Sequence, residues 1–234
     1  MRTYVTEFIG TFALVFTVGC TVLGNAALAP LAIGAVLMVM VFAGGHISGA
    51  HYNPAVTIGV FLRGRIPARE VVPYWIAQLL AAFVAGWLAR FTVNPGSVHA
   101  LPISGAHAIF AALLAELAFT FALVYVVLNV ATSKDQPNNQ FFGLAIGFTV
   151  AAGAVAVGGV SGAAFNPAVA FGGMLMGFLA WSNFWIYLVA EVVGAVAAAV
   201  TFRYLNPADP GDGGPLAKLP KVTLPKVSFS RPAS

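Results

Sequence analysis

Charge and cysteine are what this chain has least of. Only 8% of its 234 residues are Asp, Glu, Lys or Arg, against roughly 25% in a soluble globular protein. A surface that faces water over most of its area is therefore excluded. Cys20 is the only cysteine, which rules out an internal disulfide framework and any multi-cysteine metal site. Its position in an apolar run reads as packing. The formal net charge of +4 would fit a nucleic-acid partner, but the basic residues are few and fall in short connections beside apolar runs, so none is expected. With 60% hydrophobic residues, the chain is built to be solvated by lipid.

Six apolar stretches, at about 4–24, 30–48, 70–91, 108–130, 141–160 and 181–204, each approach or exceed the roughly 20 helical residues that cross a hydrocarbon core of about 30 Å. The first also resembles a secretory signal, with a cleavage-like Ala27-Leu28-Ala29. Glu7 inside its apolar region, and the recurrence of the stretch later in the chain, favour a retained span. Two more apolar stretches start at Pro54 and Pro167; at about ten residues they are too short to span. Arg2, Arg63, Arg65, Arg69, Lys134, Arg203, Lys218, Lys221, Lys226 and Arg231 fall on one side of a six-span arrangement, and Arg90 on the other. Cytoplasmic loops carry the excess of Lys and Arg, so both termini are expected in the cytoplasm.

The chain repeats itself. EFIGTFALV from Glu7 matches ELAFTFALV from Glu116, SGAHYNPAV from Ser48 matches SGAAFNPAV from Ser161, and Tyr74 and Gln78 match Tyr187 and Glu191. The order is kept, at offsets of 109 and then 113 residues. Each half, about 4–91 and 108–204, holds three spans, an odd number, so the second half must lie inverted in the bilayer. Inverted repeats place their site near the midplane, where broken helices meet. Asn is a strong N-cap and Pro suits the first helical position, so Asn53-Pro54-Ala55 and Asn166-Pro167-Ala168 read as the starts of two half-helices that enter from opposite faces. Irregular backbone, which Gly49 and Gly162 permit, is tolerated at membrane depth only where it is buried or lines a wet cavity. Two other Asn-Pro pairs, Asn94-Pro95 and Asn206-Pro207, precede no apolar run and read as turns.

These paired motifs resemble those of the aquaporin, or major intrinsic protein, family over about residues 4–205. The resemblance implies an all-α membrane fold: a right-handed bundle of six transmembrane helices plus two re-entrant half-helices, a pore in each subunit, and a homotetramer. It implies a ladder of backbone carbonyls at Gly49, Ala50, His51, Tyr52, Gly162, Ala163, Ala164 and Phe165. It also implies that Glu7 and Glu116 brace the re-entrant loops. An intramembrane carboxylate is otherwise a candidate for proton or ion coupling, and Glu191 is the hardest of the three acids to assign. His46 and His51 match loop positions of the family, where a pH switch or metal ligand competes with local packing.

Where most members carry an arginine after the second Asn-Pro-Ala, this chain has Val169, and the other filter positions carry over to Ile33, Ala154 and Ala163. That filter is wholly aliphatic. The mercury-sensitive cysteine of some water channels corresponds to Ala163. The expected function is a passive channel for water and small uncharged solutes, wide enough for glycerol, urea or metalloid species such as arsenite. A strict water channel and an ion-coupled secondary transporter are the alternatives. No nucleophile with a base partner appears, so an enzyme is not expected, nor is a cofactor or metal. Residues 1–205 are expected to form the channel domain and 206–234 a disordered cytoplasmic tail. Short loops and compact length point to a bacterial plasma membrane.

Overall fold

The computed structural model describes residues 1–211 and 213–218. Among these residues the regular structure is helical throughout. Six helices are long and apolar enough to cross a membrane: α1 (Arg2–Leu23), α2 (Ala29–Ser48), α4 (Ala68–Val93), α5 (Ala106–Thr132), α6 (Phe142–Ser161) and α8 (Phe184–Leu205). Two short ones, α3 (Pro54–Leu62) and α7 (Pro167–Met176), start at the motif prolines. At 9 and 10 residues they extend about 15 Å, half the hydrocarbon thickness.

The two halves use the same contacts. α1 packs along α4, and α5 along α8, while α2 and α6 join the halves. At that last crossing small residues bring the backbones together: a Cβ on Gly34 would lie 2.6 Å from the Gly147 carbonyl, and one on Gly147 2.4 Å from the Gly34 carbonyl. These glycines are repeat partners. Without water to expel, helices in lipid associate through such close packing. The outward surface is apolar, with Val5, Ile9, Phe83, Trp87, Phe148 and Val155 among its exposed side chains.

The folded unit runs past the boundary expected at residue 205. Asp209 forms a 2.6 Å ion pair with Arg63, and both side chains are almost fully buried. The Arg63 guanidinium also lies 4.6 Å from the centre of the Phe202 ring. Asp209 accepts from the Lys134 backbone N–H at 2.9 Å, Arg203 donates to the carbonyls of Pro207 and Leu216, and Leu216 packs on the core. Polar, proline-rich composition pointed to disorder here; two arginines, Arg63 and Arg203, and one aspartate supply contacts that composition does not register. The expectation for 219–234 lies outside the described residues.

Burial alone would raise the Asp209 carboxyl, but the Lys134 N–H and the Arg63 and Arg65 guanidiniums hold it below its ordinary value. A depressed carboxyl stabilises the fold above its unfolded value near 3.9, and the contribution is lost only as pH falls through the lower, folded value. The strap that includes 206–211 and 213–217 is therefore expected to stay closed across the physiological range. Breaking a buried pair by removing one charge costs about 3–5 kcal/mol. Asp209→Asn is accordingly expected to raise the opened fraction of the strap by more than about a hundredfold, read as faster chymotryptic cleavage at Leu205 and Leu216.

Candidate functional site

Asn53 and Asn166 cap the two half-helices with extended backbone. The Asn53 side-chain oxygen accepts from the N–H groups of Ala55 at 2.8 Å and Val56 at 3.4 Å. The Asn166 oxygen accepts from Ala168 at 2.9 Å. With the oxygens turned into their own helices, the amide nitrogens reach across the repeat. Asn53 Nδ2 donates to the Phe165 carbonyl at 2.8 Å, and Asn166 Nδ2 to the Tyr52 carbonyl at 2.9 Å. An amide nitrogen carries two N–H groups. One from each asparagine thus clasps the opposite half, and one remains for the cavity that both asparagines line. Half of the donor capacity of these two amides is therefore structural.

The lead-in segments are strained. Gly49, Ala50 and Tyr52 have φ of 85°, 51° and 51°, and Gly162, Ala163 and Phe165 have 90°, 52° and 50°. Ala, Tyr and Phe in this left-handed region each cost about 1–2 kcal/mol, so something must hold them there. Two buried carboxylates do. Glu7 accepts from Ser48 Oγ and the His51 and Tyr52 N–H groups, at 2.7, 2.9 and 2.7 Å. Glu116 accepts from Ser161 Oγ and the Ala164 and Phe165 N–H groups, at 2.6, 3.0 and 2.7 Å. Tyr74 and Tyr187 donate to the Ser48 and Ser161 carbonyls.

His51 belongs to the first brace. Its Nδ1 lies 3.1 Å from Thr57 Oγ1, and its ring packs 4.8 Å from that of Tyr74. The Thr57 hydroxyl spends its one hydrogen on the Asn53 carbonyl, so His51 Nδ1 must be the donor to Thr57. This geometry packs His51 into the brace, against Thr57 and Tyr74. His46 is exposed on α2.

A cavity of about 370 Å³ runs beside the asparagines. Ile33, Ala154, Ala163 and Val169 all line it, as do Ala50, His51, Tyr52, Gly162 and Ala164. Gly49 and Phe165 do not, and the Tyr52 and Phe165 carbonyls are already bonded to asparagine amides. Among the described residues no Asp, Glu, Lys or Arg side chain lines the cavity. The wall also includes His99 and Leu101, from the connection between α4 and α5, and Phe178 and Leu179, from the turn after α7. That connection is anchored by Leu101 N–H to the Phe178 carbonyl at 2.9 Å and by Asn183 Nδ2 to the Ile103 carbonyl at 3.2 Å. Nothing in sequence spacing marked these four residues. Arg90 donates to the Met176 carbonyl at the C-terminal end of α7, where a cation is favourable.

The major intrinsic protein model matches residues 1–202. The chain belongs to the major intrinsic protein family. Among relatives of this channel, the glycerol uptake facilitator protein-like 6 of Lactiplantibacillus plantarum is 36% identical over 89% of this chain and 100% of its own length. Aquaporin AqpM of Methanothermobacter marburgensis is 36% identical over 86% of this chain and 96% of its own. Aquaporin TIP1-2 of Musa acuminata is 39% identical over 79% and 73%. The X-ray structure of an aquaglyceroporin from Plasmodium falciparum shares the fold, with a TM-score of 0.73 at 24% identity over 89% of this chain and 98% of that one. Aquaporins of this family are channels, not enzymes, and this chain is a membrane channel for water and small solutes.

Proposed function

We infer that the channel has a wide aliphatic filter, formed by Ile33, Ala154, Ala163 and Val169, which admits uncharged solutes larger than water. Glycerol, urea and undissociated arsenite are the candidate classes. The observation that carries this reading is the composition of the cavity wall: two alanines and a valine stand at filter positions, and no ionised side chain among the described residues narrows or charges the path. The glycerol facilitator among the relatives is consistent with it.

Selection against ions then falls to the midplane. Two half-helix N-termini meet there, each with roughly half a positive elementary charge. The free N–H of Asn53 and of Asn166 hold a passing oxygen with its hydrogens turned away, which interrupts a proton wire. The unbonded lead-in carbonyls offer acceptors on either side. The clustering of Arg63, Arg65, Lys134 and Arg203 contacts on the face of the termini supports cytoplasmic N- and C-termini. The apolar exposed faces are suited to lipid and to neighbouring copies in a homotetramer.

The deciding experiment is a proteoliposome panel that measures water, glycerol, urea, arsenite and proton flux for the purified chain. Glycerol, urea and arsenite flux without proton flux is expected. Water flux alone would make this a strict water channel and sink the wide filter. A second expectation concerns mercury. Cys20 lies outside the cavity wall and Ala163 on it, so mercurials are expected to leave native flux intact and to block Ala163→Cys.

A further inference from the structure

The two repeat-related braces differ in one chemical respect. Glu7 has four donors: Ser48 Oγ, the His51 and Tyr52 N–H groups, and Gln78 Nε2 at 2.9 Å. Glu116 has the first three of these in equivalent form. At the fourth place, where the first half offers an amide, the second offers Glu191, whose carboxyl lies within hydrogen-bonding reach of Glu116. Glu191 Oε1 accepts the Asn166 backbone N–H at 2.9 Å, and its Oε2 has no donor. Both acids are fully buried. Tyr187 is the other titratable group acting nearby, and its hydroxyl is committed to the Ser161 carbonyl.

Two ionised carboxylates are acceptors only and cannot bond to one another. Two such charges in one dry site are also strongly disfavoured. We propose that Glu116 and Glu191 share a single proton, carried on Glu191 Oε2 and donated to Glu116, so that a neutral carboxylic acid does in the second half what the Gln78 amide does in the first. The count of donors assigns the proton: Glu116 is held by three, Glu191 by one. With it, Glu116 reaches the same four-donor state as Glu7.

Glu191 is thereby a positioning residue for the pore. One oxygen fixes the N–H of Asn166, and the other ties that contact to the carboxylate holding Phe165, whose carbonyl receives Asn53. It does not line the cavity itself. The first half has additional support, because Gln78 Nε2 and His51 Nδ1 both meet Thr57 Oγ1 at 3.1 Å. The equivalent positions in the second half are Ala164 and Ala170, which have no polar side chain. The acid pair carries that load.

The inference goes beyond the channel reading and is tested apart from it. Infrared spectra of the full chain in lipid at neutral pH, in light and heavy water, are expected to contain the carbonyl stretch of a protonated carboxylic acid that shifts on deuteration. Glu191→Gln is expected to lose that band and keep native solute flux within about twofold, because the amide supplies the same donor and acceptor. Glu191→Leu is expected to lose the band and about tenfold or more of the flux, since it leaves the Asn166 N–H unpaired. A native protein without the band, a band that persists in Glu191→Gln, or a Glu191→Gln flux as low as that of the leucine variant would each overturn the proposal. Should the leucine variant not fold, the native and glutamine spectra decide alone. A native protein with the band but no flux of glycerol, urea or arsenite would overturn the wide-filter reading and leave this one standing.

Discussion

Val169→Arg is expected to convert a permissive filter into a restrictive one, with glycerol and urea flux reduced at least about tenfold and water flux far less affected. Val169 is 6% exposed and lines the cavity with Ala154 and Ala163. Their short side chains leave room that a guanidinium on a three-carbon stem would occupy. Misfit of even one methylene in a closely fitted pocket is worth about 1–3 kcal/mol, so a solute with a three-carbon backbone should be excluded first. The same substitution adds a positive charge. At about 5 Å and an effective dielectric near 20, it repels a monovalent cation by about 3 kcal/mol, a factor of roughly a hundred in passage. Stopped-flow light scattering on proteoliposomes measures water and glycerol together. Unchanged ratios in a folded variant would remove the filter assignment.

Glu7→Leu is expected to abolish flux and to lower thermal stability sharply. The substitution leaves four buried donors without an acceptor: the Ser48 hydroxyl, the His51 and Tyr52 N–H groups, and the Gln78 amide. Each such group costs about 1–3 kcal/mol. Their sum rivals the total stability of a typical domain, about 5–15 kcal/mol. It also releases Tyr52 from its left-handed conformation, and with it the carbonyl that receives Asn166. Glu7→Gln should fare little better, because its new NH₂ would point at donors that the carboxylate accepts. The opposite outcome at Glu191, where glutamine is expected to be tolerated, sets the two acids apart. Thermal unfolding followed by size-exclusion chromatography reads the stability, and liposome swelling reads the flux. Native values for a leucine variant would show that the re-entrant loop holds itself.

Much of this architecture is legible in the sequence because the relevant signals are local. Span length, the Asn-Pro starts of α3 and α7, and the paired SGA segments each depend on neighbouring residues and on bilayer thickness. Glu7 and Glu116 stand out because charge inside an apolar run demands a partner. The partners themselves are not legible, since they are distant in sequence. The crossing of the asparagine amides to Phe165 and Tyr52 requires knowing how closely α3 and α7 approach. The match of Gln78 with Glu191 was visible, but its meaning needed the neighbours of Glu191, namely Glu116 and Asn166. His99 and Leu101 reach the cavity wall from an irregular connection with no periodicity to follow. The strap after α8 was hidden for a related reason: its composition resembles that of a disordered segment, and only the burial of Arg63 and Asp209 distinguishes it.

The crossed asparagine clasp has a consequence for biosynthesis. A ribosome delivers the first half, with α3, before α7 exists. At that stage Asn53 has no Phe165 carbonyl to grip, and the Tyr52 carbonyl has no amide. The first re-entrant segment must therefore wait, unfinished, near the middle of the bilayer or at its edge until the last third of the chain is inserted. Assembly of the conduit is thus a late event, completed when newly inserted α7 locks both halves together at once.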